Sequence, residues 1–237
     1  ATVLLARVIV PLSGSAAAQE NAALAAVQFQ GARIEPGESL SFNQIVGMRT
    51  EESGYTAAEE PAYGQNIVGV GGGICQVSTA LYRLALLGGL EIAERSAAVY
   101  PVNYCEIGQE AAVSDQGLDL VLTNNTDAPL FLIVRVYAEN DGQTMEWQLI
   151  GKENESRFSL VSEVETIDAP EEPVYVRDSE GRYATYADER IPVSEARPGY
   201  RATVSLVDED GETVRVVSED TYDAMAQIVY VGVQQRN

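Results

Sequence analysis

Histidine is absent from this chain of 237 residues, lysine occurs once (Lys152), cysteine twice and tryptophan once. Losing imidazole removes the side chain most used as a general base near neutral pH and as a neutral metal ligand. No Ser-His-Asp or Cys-His pair can be assembled from such a chain, and two cysteines are too few for a structural zinc site. Neither a metal nor a cofactor is expected. Positive charge is also scarce, with 15 basic residues against 36 acidic ones and a formal charge of −21. That balance opposes the counterion release on which nucleic-acid binding depends, and it disfavours anionic membranes equally, so no nucleic-acid partner is expected. The deficit is spread along the chain: 6 basic and 17 acidic residues precede Gly151, and 9 and 19 lie from it onward. No stretch reaches the roughly 18 apolar residues of a membrane helix. The apolar opening, Ala1 to Val10, contains Arg7.

What is present is an ordinary globular balance of 46% hydrophobic and 22% charged residues. It lies far from disordered or fibrous compositions. The length allows a medium domain with a small companion, and we place them at 1–150, an α+β domain with a central helix packed on antiparallel strands, and 151–237, a small β-rich module. TVLLARVIV reads as a strand. Beginning on Ala1 inside it leads to the expectation that the natural amino terminus lies upstream, where an export signal or anchor would sit. Ala16 to Val27 has helical spacing and stops at Gly31. Met48 to Val70 is polar and punctuated by glycine, which predicts a long loop. The clearest helix runs from Cys75 to Leu87, with Val77, Leu81 and Leu84 on one stripe and Gly88-Gly89 as its stop.

Strands are predicted at Leu90–Ile92, Ala98–Tyr104, Leu118–Leu122, Leu130–Tyr137 and Thr144–Ile150. Asn124 to Asp127 joins the third and fourth of these as a hairpin, and Asp141-Gly142 precedes the fifth. Later strands are predicted at Val174–Arg177, Thr203–Val207, Thr213–Val217 and Ile228–Val233. Asp208-Glu209-Asp210-Gly211-Glu212 lacks the ligand frame of an EF-hand and reads as a solvated turn. Asn124 and Asn154 head N-x-Ser/Thr triplets, which matter only in a eukaryotic secretory pathway.

The segment Gly69-Val70-Gly71-Gly72-Gly73-Ile74-Cys75-Gln76 opens the best helix with three consecutive glycines. Such a loop lets backbone N–H groups converge on a ligand at the helix start. It carries no Gly-Lys-Ser/Thr ending and no dinucleotide pattern, so nucleotide binding is not expected. Cys75 at the helix start reads two ways: as a nucleophile whose thiolate the dipole favours, or as a small buried residue that lets the loop pack. The missing histidine weighs toward the second. Cys105, 30 positions on, leaves a disulfide open, because spacing cannot show the geometry that pairing demands. Asp119 in Leu118-Asp119-Leu120 is either a partner for Cys75 or the outward position of a strand. Tyr100, Asn103 and Tyr104 around Pro101 suit a sugar or peptide groove and suit a strand as well.

Four blocks in order, GARIEPGESLSFNQIVGMRTEESGY, VGGGICQVSTALYRLALLGGLEI, YPVNY and LDLVLTNNTDAPLFL, resemble the VanW family, named for a protein encoded with vancomycin-resistance determinants. The likeness covers roughly residues 16 to 137. PGYRATVSLVDEDGETVRVVSEDTYDAMAQIVYVG is similar to the small five-glycine-type β domain that often follows VanW domains. The resemblance implies an exported or anchored envelope protein of Gram-positive cells, with peptidoglycan or wall peptide as ligand and envelope proteins as further candidate partners. It assigns no activity. Family members commonly carry histidines in a Glu-Arg-His-Pro-His-like stretch, whereas this chain has Glu94-Arg95-Ser96-Ala97-Ala98. The expected site joins Gly71, Gly72, Gly73, Gln76, Tyr100, Asn103 and Tyr104 as a noncatalytic binding groove. The alternative is a cysteine enzyme acting on wall peptide, with Cys75 and Asp119 as its catalytic residues.

Overall fold

A computed structural model describes residues 1–62, 65–139, 142–153 and 157–236. The chain is α+β, with mostly antiparallel strands and few helices. It divides into two compact units, Ala1–Glu163 with Thr203–Glu219, and Val164–Ala202 with Asp220–Asn237. The expected break after Ile150 and this division follow different lines through the chain.

In the first unit, β1 (Thr2–Pro11) turns Val8 and Val10 inward and Arg7 and Ile9 outward, the two-residue period of a half-buried strand. Ser15 then caps α1 (Ala16–Val27), its hydroxyl accepting the Ala18 N–H at 3.2 Å. Alanine fills the buried face of α1 at 18, 22, 25 and 26, so the helix packs closely. β2 (Arg33–Ile34), β3 (Ser39–Ser41) and α2 (Phe42–Val46) follow, with Ser41 capping α2 through the Gln44 N–H.

The predicted loop at 48–70 contains a hairpin, β4 (Ala57–Ala62) paired antiparallel with β5 (Gln65–Val70). Its alanines, glutamates and proline are poor strand formers, so pairing and not local preference makes these strands. α3 (Cys75–Leu87) lies where its apolar stripe predicts and is buried around most of its circumference. After β6 (Glu91–Glu94) a connector at 95–120 reaches β7 (Val121–Thr123). The strand predicted at Ala98–Tyr104 does not form. Pro101 has no N–H for a ladder, and the connector's backbone is held by side chains, described below.

β8 (Leu130–Glu139) pairs with β9 (Gly142–Lys152) from Phe131↔Ile150 to Glu139↔Gly142. The turn residue Asp141 and the Asn154 triplet lie outside the described residues. The hairpin predicted through Asn124 to Asp127 is absent, because β7 joins the sheet β3-β7-β6 while β8 joins β1-β9-β8-β2. Asn124 makes this switch of sheets: its buried amide donates to Ile34 O and Ala128 O, both at 2.9 Å, and accepts the Thr126 N–H. α1 and α3 cover the β1-β9-β8 face. At its centre Trp147, registered between Val8 and Val134, meets Phe29 at 5.4 Å, and Phe29 meets Phe42 at 5.3 Å.

The later strands are β10 (Ser159–Ile167), β11 (Val174–Asp178), β12 (Arg190–Ser194), β13 (Gly199–Val207), β14 (Thr213–Tyr222) and β15 (Ile228–Gly232). Their sheets are β10-β13-β14 and β11-β15-β12. The sequence pattern misses β10 and β12; β12 carries Pro192, which is tolerated because the strand is an edge. The second unit contains strands and no helix among its described residues. Between β13 and β14 the Asp208 carboxylate accepts the N–H groups of Asp210 and Glu212, which closes a solvated turn.

Asp178, buried at the end of β11, accepts the N–H groups of Ala184 at 2.9 Å and Tyr183 at 2.6 Å, and these bonds hold its carboxyl below the usual aspartate range. A carboxyl depressed in the folded state stabilises fully above its unfolded pKa of about 4, and that contribution disappears as pH falls through the lower folded value. Thermal melts of Asp178→Asn are therefore expected to show a lower Tm than wild type at pH 7 and a flatter dependence below about pH 4. Equal acid slopes in the two proteins would contradict this.

Candidate functional site

The amino end of α3 is a crowded place. Gly73 sits at φ +100°, and a Cβ there would lie 2.4 Å from Ala18 O on α1; a Cβ on Gly72 would lie 2.6 Å from Ala58 O on β4. The glycine run is therefore a close-approach spacer between two elements. Its N–H groups turn inward: Gly71 donates to Thr56 O, Gly72 to Gly69 O, Ile74 to Gly71 O and Gln76 to Gly73 O. The convergence of Gly71, Gly72 and Gly73 N–H groups on a ligand is corrected on this point for Gly71 and Gly72, whose donors are taken within the fold. Asn21 of α1 fixes the loop from the other side. Its buried amide donates to Gly72 O and Thr56 O and accepts the Thr56 N–H.

Gln76 is also committed. Its carbonyl oxygen accepts Ser13 N–H at 2.8 Å and Ser13 Oγ–H at 3.0 Å, and its amide nitrogen donates to Ser13 O and Gly73 O. Buried to 4% exposure, it ties the end of β1 to α3. Asp119 is placed at the start of α2, where it accepts Ser41 Oγ–H, Asn43 N–H and Leu120 N–H. That explains the carboxylate without reference to Cys75.

Cys75 is half-buried, with its thiol donating to Val113 O at 3.6 Å. Cys75 and Cys105 are not joined in a disulfide. Tyr104 is the residue the structure brings to them. Burial pushes its phenol well above the ordinary tyrosine value, the Cys75 and Cys105 groups add to that, and a hydrogen bond with Thr79 opposes it. Burial likewise pushes the Cys105 thiol up to about 12, with the Glu110 carboxylate adding to the effect. Tyr100 is half-buried and Asn103 exposed, both on the same connector.

The connector owes its shape to α3. Ser78 Oγ donates to Ala111 O at 2.7 Å, and Thr79 Oγ1 accepts the Ala111 N–H at 3.1 Å, so two adjacent helix hydroxyls take both backbone groups of one residue. Ala112 N–H then bonds Ser96 O at 2.8 Å. Glu110, fully buried, accepts the N–H groups of Gly108 and Ala98, while Arg95 donates to the carbonyls of Glu110 and Gly108 and lies 5.3 Å from the Tyr82 ring centroid. Ser96 and Ala98, which stand where the resemblance places histidines, thus lie on backbone joined to Ala112 and Glu110, close along the chain to the Val113 carbonyl that holds Cys75.

Arg95 and Glu110 carry no sequence signal, being 15 positions apart in an irregular segment. Ser78-Thr79 inside an apolar helix is a readable signal, since buried hydroxyls need partners. Chemically the arrangement offers phenol, thiol, hydroxyl and amide groups, without an imidazole. A separate recess of about 440 Å³ lies at the far end of α3, lined by residues including Glu91, Asn125, Phe158 and Arg215.

Comparison with known proteins bears on this geometry. Residues 17–148 match the family described as VanW like protein. The chain is 36% identical over 125 residues to the uncharacterized protein YoaR of Bacillus subtilis (strain 168), covering 53% of this chain and 41% of that protein. It is 30% identical over 179 residues to the vancomycin B-type resistance protein VanW of Enterococcus faecalis (strain ATCC 700802 / V583), covering 73% of this chain and 61% of that protein. The chain thus spans less than two thirds of either relative. The crystal structure of HP0197-G5 aligns over 32% of this chain and 100% of that one, at 15% identity and a TM-score of 0.14, a likeness too low to carry an argument.

Two outcomes are expected. Gly73→Ala combines a left-handed backbone with overlap on Ala18 O, and chemical denaturation is expected to show a loss of about 2 kcal/mol or more; a loss below about 0.5 kcal/mol, the usual size of a harmless surface change, would contradict the packing argument. With its thiol raised to about 12, Cys105 in the folded protein should react with iodoacetamide at pH 8 roughly a thousandfold more slowly than a free cysteine peptide. Peptide mapping after timed alkylation measures this, and labelling at the peptide rate would overturn it.

Proposed function

The chain belongs to the VanW family, and from that premise we propose that it works at the cell envelope by binding a peptidoglycan-related ligand without catalysis. Family membership points to the envelope role. The ligand, the extracellular placement and the absence of chemistry are our reading. What supports it is the connector, an irregular segment fixed by buried bonds from Ser78, Thr79, Arg95 and Glu110 while Asn103 stays exposed and Tyr100 half-exposed. A loop ordered before the ligand arrives loses little further entropy on binding, and an amide beside an aromatic ring suits a glycan or a short peptide. The recognition surface in this reading is the outer side of the connector at Tyr100 and Asn103, with Tyr104 and Cys75 beneath it. Gln76 and the glycines position it from within.

The relative from Enterococcus faecalis is named for vancomycin resistance; to this chain we carry over the wall as the site of action. The later strands serve in this proposal as a five-glycine-type spacer.

The test is cosedimentation of the full chain with purified peptidoglycan fragments. The paired substitution Tyr100→Ala with Asn103→Ala is expected to weaken binding at least tenfold, about 1.4 kcal/mol, with Tm unchanged because neither residue is buried. Undiminished binding by the pair, or no binding by wild type, would contradict the proposal.

A further inference from the structure

α3 ends in a turn that distant side chains hold. The N–H groups of Gly88, Gly89 and Leu90 bond back to Leu84 O, Leu86 O and Ala85 O, which closes the helix. The next two carbonyls are taken from elsewhere in the chain: Asn125 donates to Gly89 O and Arg215 of β14 donates to Leu90 O, each at 3.4 Å. A Cβ on Gly89, which sits at φ +76°, would lie 3.3 Å from the Phe158 ring, so the turn and the ring are in close approach. Asn125, Arg215 and Phe158 line the recess of about 440 Å³ at this end of the helix, together with Glu91, Leu206 and Val214. All six belong to the first unit.

The lining brings three kinds of group to one small space. Arg215 supplies a guanidinium. Glu91 supplies a carboxylate just past the carboxyl end of α3, where the helix dipole adds partial negative charge. Phe158, Leu206 and Val214 supply apolar surface. Among the described residues no ion pair joins Arg215 to Glu91, although both line the same recess and both are exposed, so each charge stays open to a third party. A simple anion answers Arg215 and is repelled by Glu91; a simple cation does the reverse, and a neutral molecule answers neither. One ligand that carries an ammonium, a carboxylate and an apolar group answers all three. The volume lies near the lower end of the range for small-molecule sites, about 300–1,000 Å³, which keeps such a ligand short.

We propose that this recess binds a short zwitterionic peptide with both ends free, its carboxylate received by Arg215, its ammonium by Glu91 and the carboxyl end of α3, and its apolar side chain laid against Phe158 and Leu206. A guanidinium meets a carboxylate through parallel N–H donors, which fixes the direction of the peptide in the recess. Leu90 O and Gly89 O already hold Arg215 and Asn125, so little side-chain freedom is lost when the ligand enters. A segment inside a longer chain offers neither end, a phosphate ester carries no cation, and a neutral sugar leaves both charges unanswered. The recess lies at the opposite end of α3 from Cys75 and does not depend on the peptidoglycan reading.

The experiment is an NMR titration of the full chain with the dipeptide Ala-Leu, followed at the backbone amides of Gly88 and Gly89 and the side-chain amide of Asn125. N-acetyl-Ala-Leu and Ala-Leu amide, each lacking one charge, are the comparison ligands. Saturable shifts at these three groups are expected with Ala-Leu, and each blocked peptide should bind about fivefold or more weakly. The amide is the sharper comparison, because its net positive charge suits a chain of formal charge −21 better than the zwitterion does. Arg215→Gln should remove the preference for a free carboxylate and keep that for a free amine, and Glu91→Gln should do the reverse. The blocked peptides probe both charges in the unaltered protein, so the test stands even where a variant loses stability. No shift at these groups with about 10 mM Ala-Leu, equal binding of the free and blocked peptides, tighter binding of the amide, or survival of both preferences in both variants would each overturn the assignment.

Discussion

Ser78 and Thr79 sit one after the other in a helix that has almost no solvent-facing side. A hydroxyl enclosed in that way must find a partner or cost the fold on the order of 1–3 kcal/mol. Both find it in the same place, the carbonyl and N–H of Ala111. The consequence reaches beyond the two bonds. A 26-residue connector (95–120) that forms no strand of its own is brought against α3 and held in register with it, so that Tyr104 meets Thr79 and the two thiols, and Val113 meets Cys75. Gln76 extends the same logic at the helix start by engaging Ser13. The polar residues of α3 thus organise the site, while its leucines and valines fix it against the sheet.

The elements governed by periodicity were legible. α1 and α3 lie at Ala16–Val27 and Cys75–Leu87, as their apolar spacing and glycine stops predict, and β1 follows its alternation. What escaped is structure held by distant partners. β4 is built from Ala57, Ala58, Glu59 and Pro61, and only its pairing with β5 makes it a strand. β7 and β8 look like a hairpin in sequence, yet Asn124 sends them to different sheets through bonds to Ile34, 90 positions away. The connector resembled a strand around Tyr100 because aromatic and β-branched residues are common in both settings.

The same distinction runs through the site. Cys75, Gln76 and Tyr104 were readable as a neighbourhood, but not the direction each group faces. The glycines looked like a cradle for a ligand, because three in a row before a helix serve that use elsewhere; here the missing side chains make room for Ala18 and Ala58. Asp119 looked like a partner for the cysteine and instead orders the start of α2. Arg95 and Glu110, the buried pair beneath the connector, have nothing in the local sequence to announce them. A chain without histidine arranges hydrogen-bonding groups and a firm loop around its cysteine, and the recognition proposal is argued from that geometry.

The claim on which this account turns is that the helix hydroxyls, and not the connector's own residues, hold the connector in place. Amide hydrogen exchange at Ala111 tests it most directly. In the wild-type protein that N–H should be protected nearly as well as the amides of α3. In Thr79→Val, which keeps the shape and removes the acceptor, its protection should fall by about ten- to a hundredfold, corresponding to a lost buried bond, while α3 remains protected. Free exchange of Ala111 in the wild type, or full protection in the variant, would contradict the account.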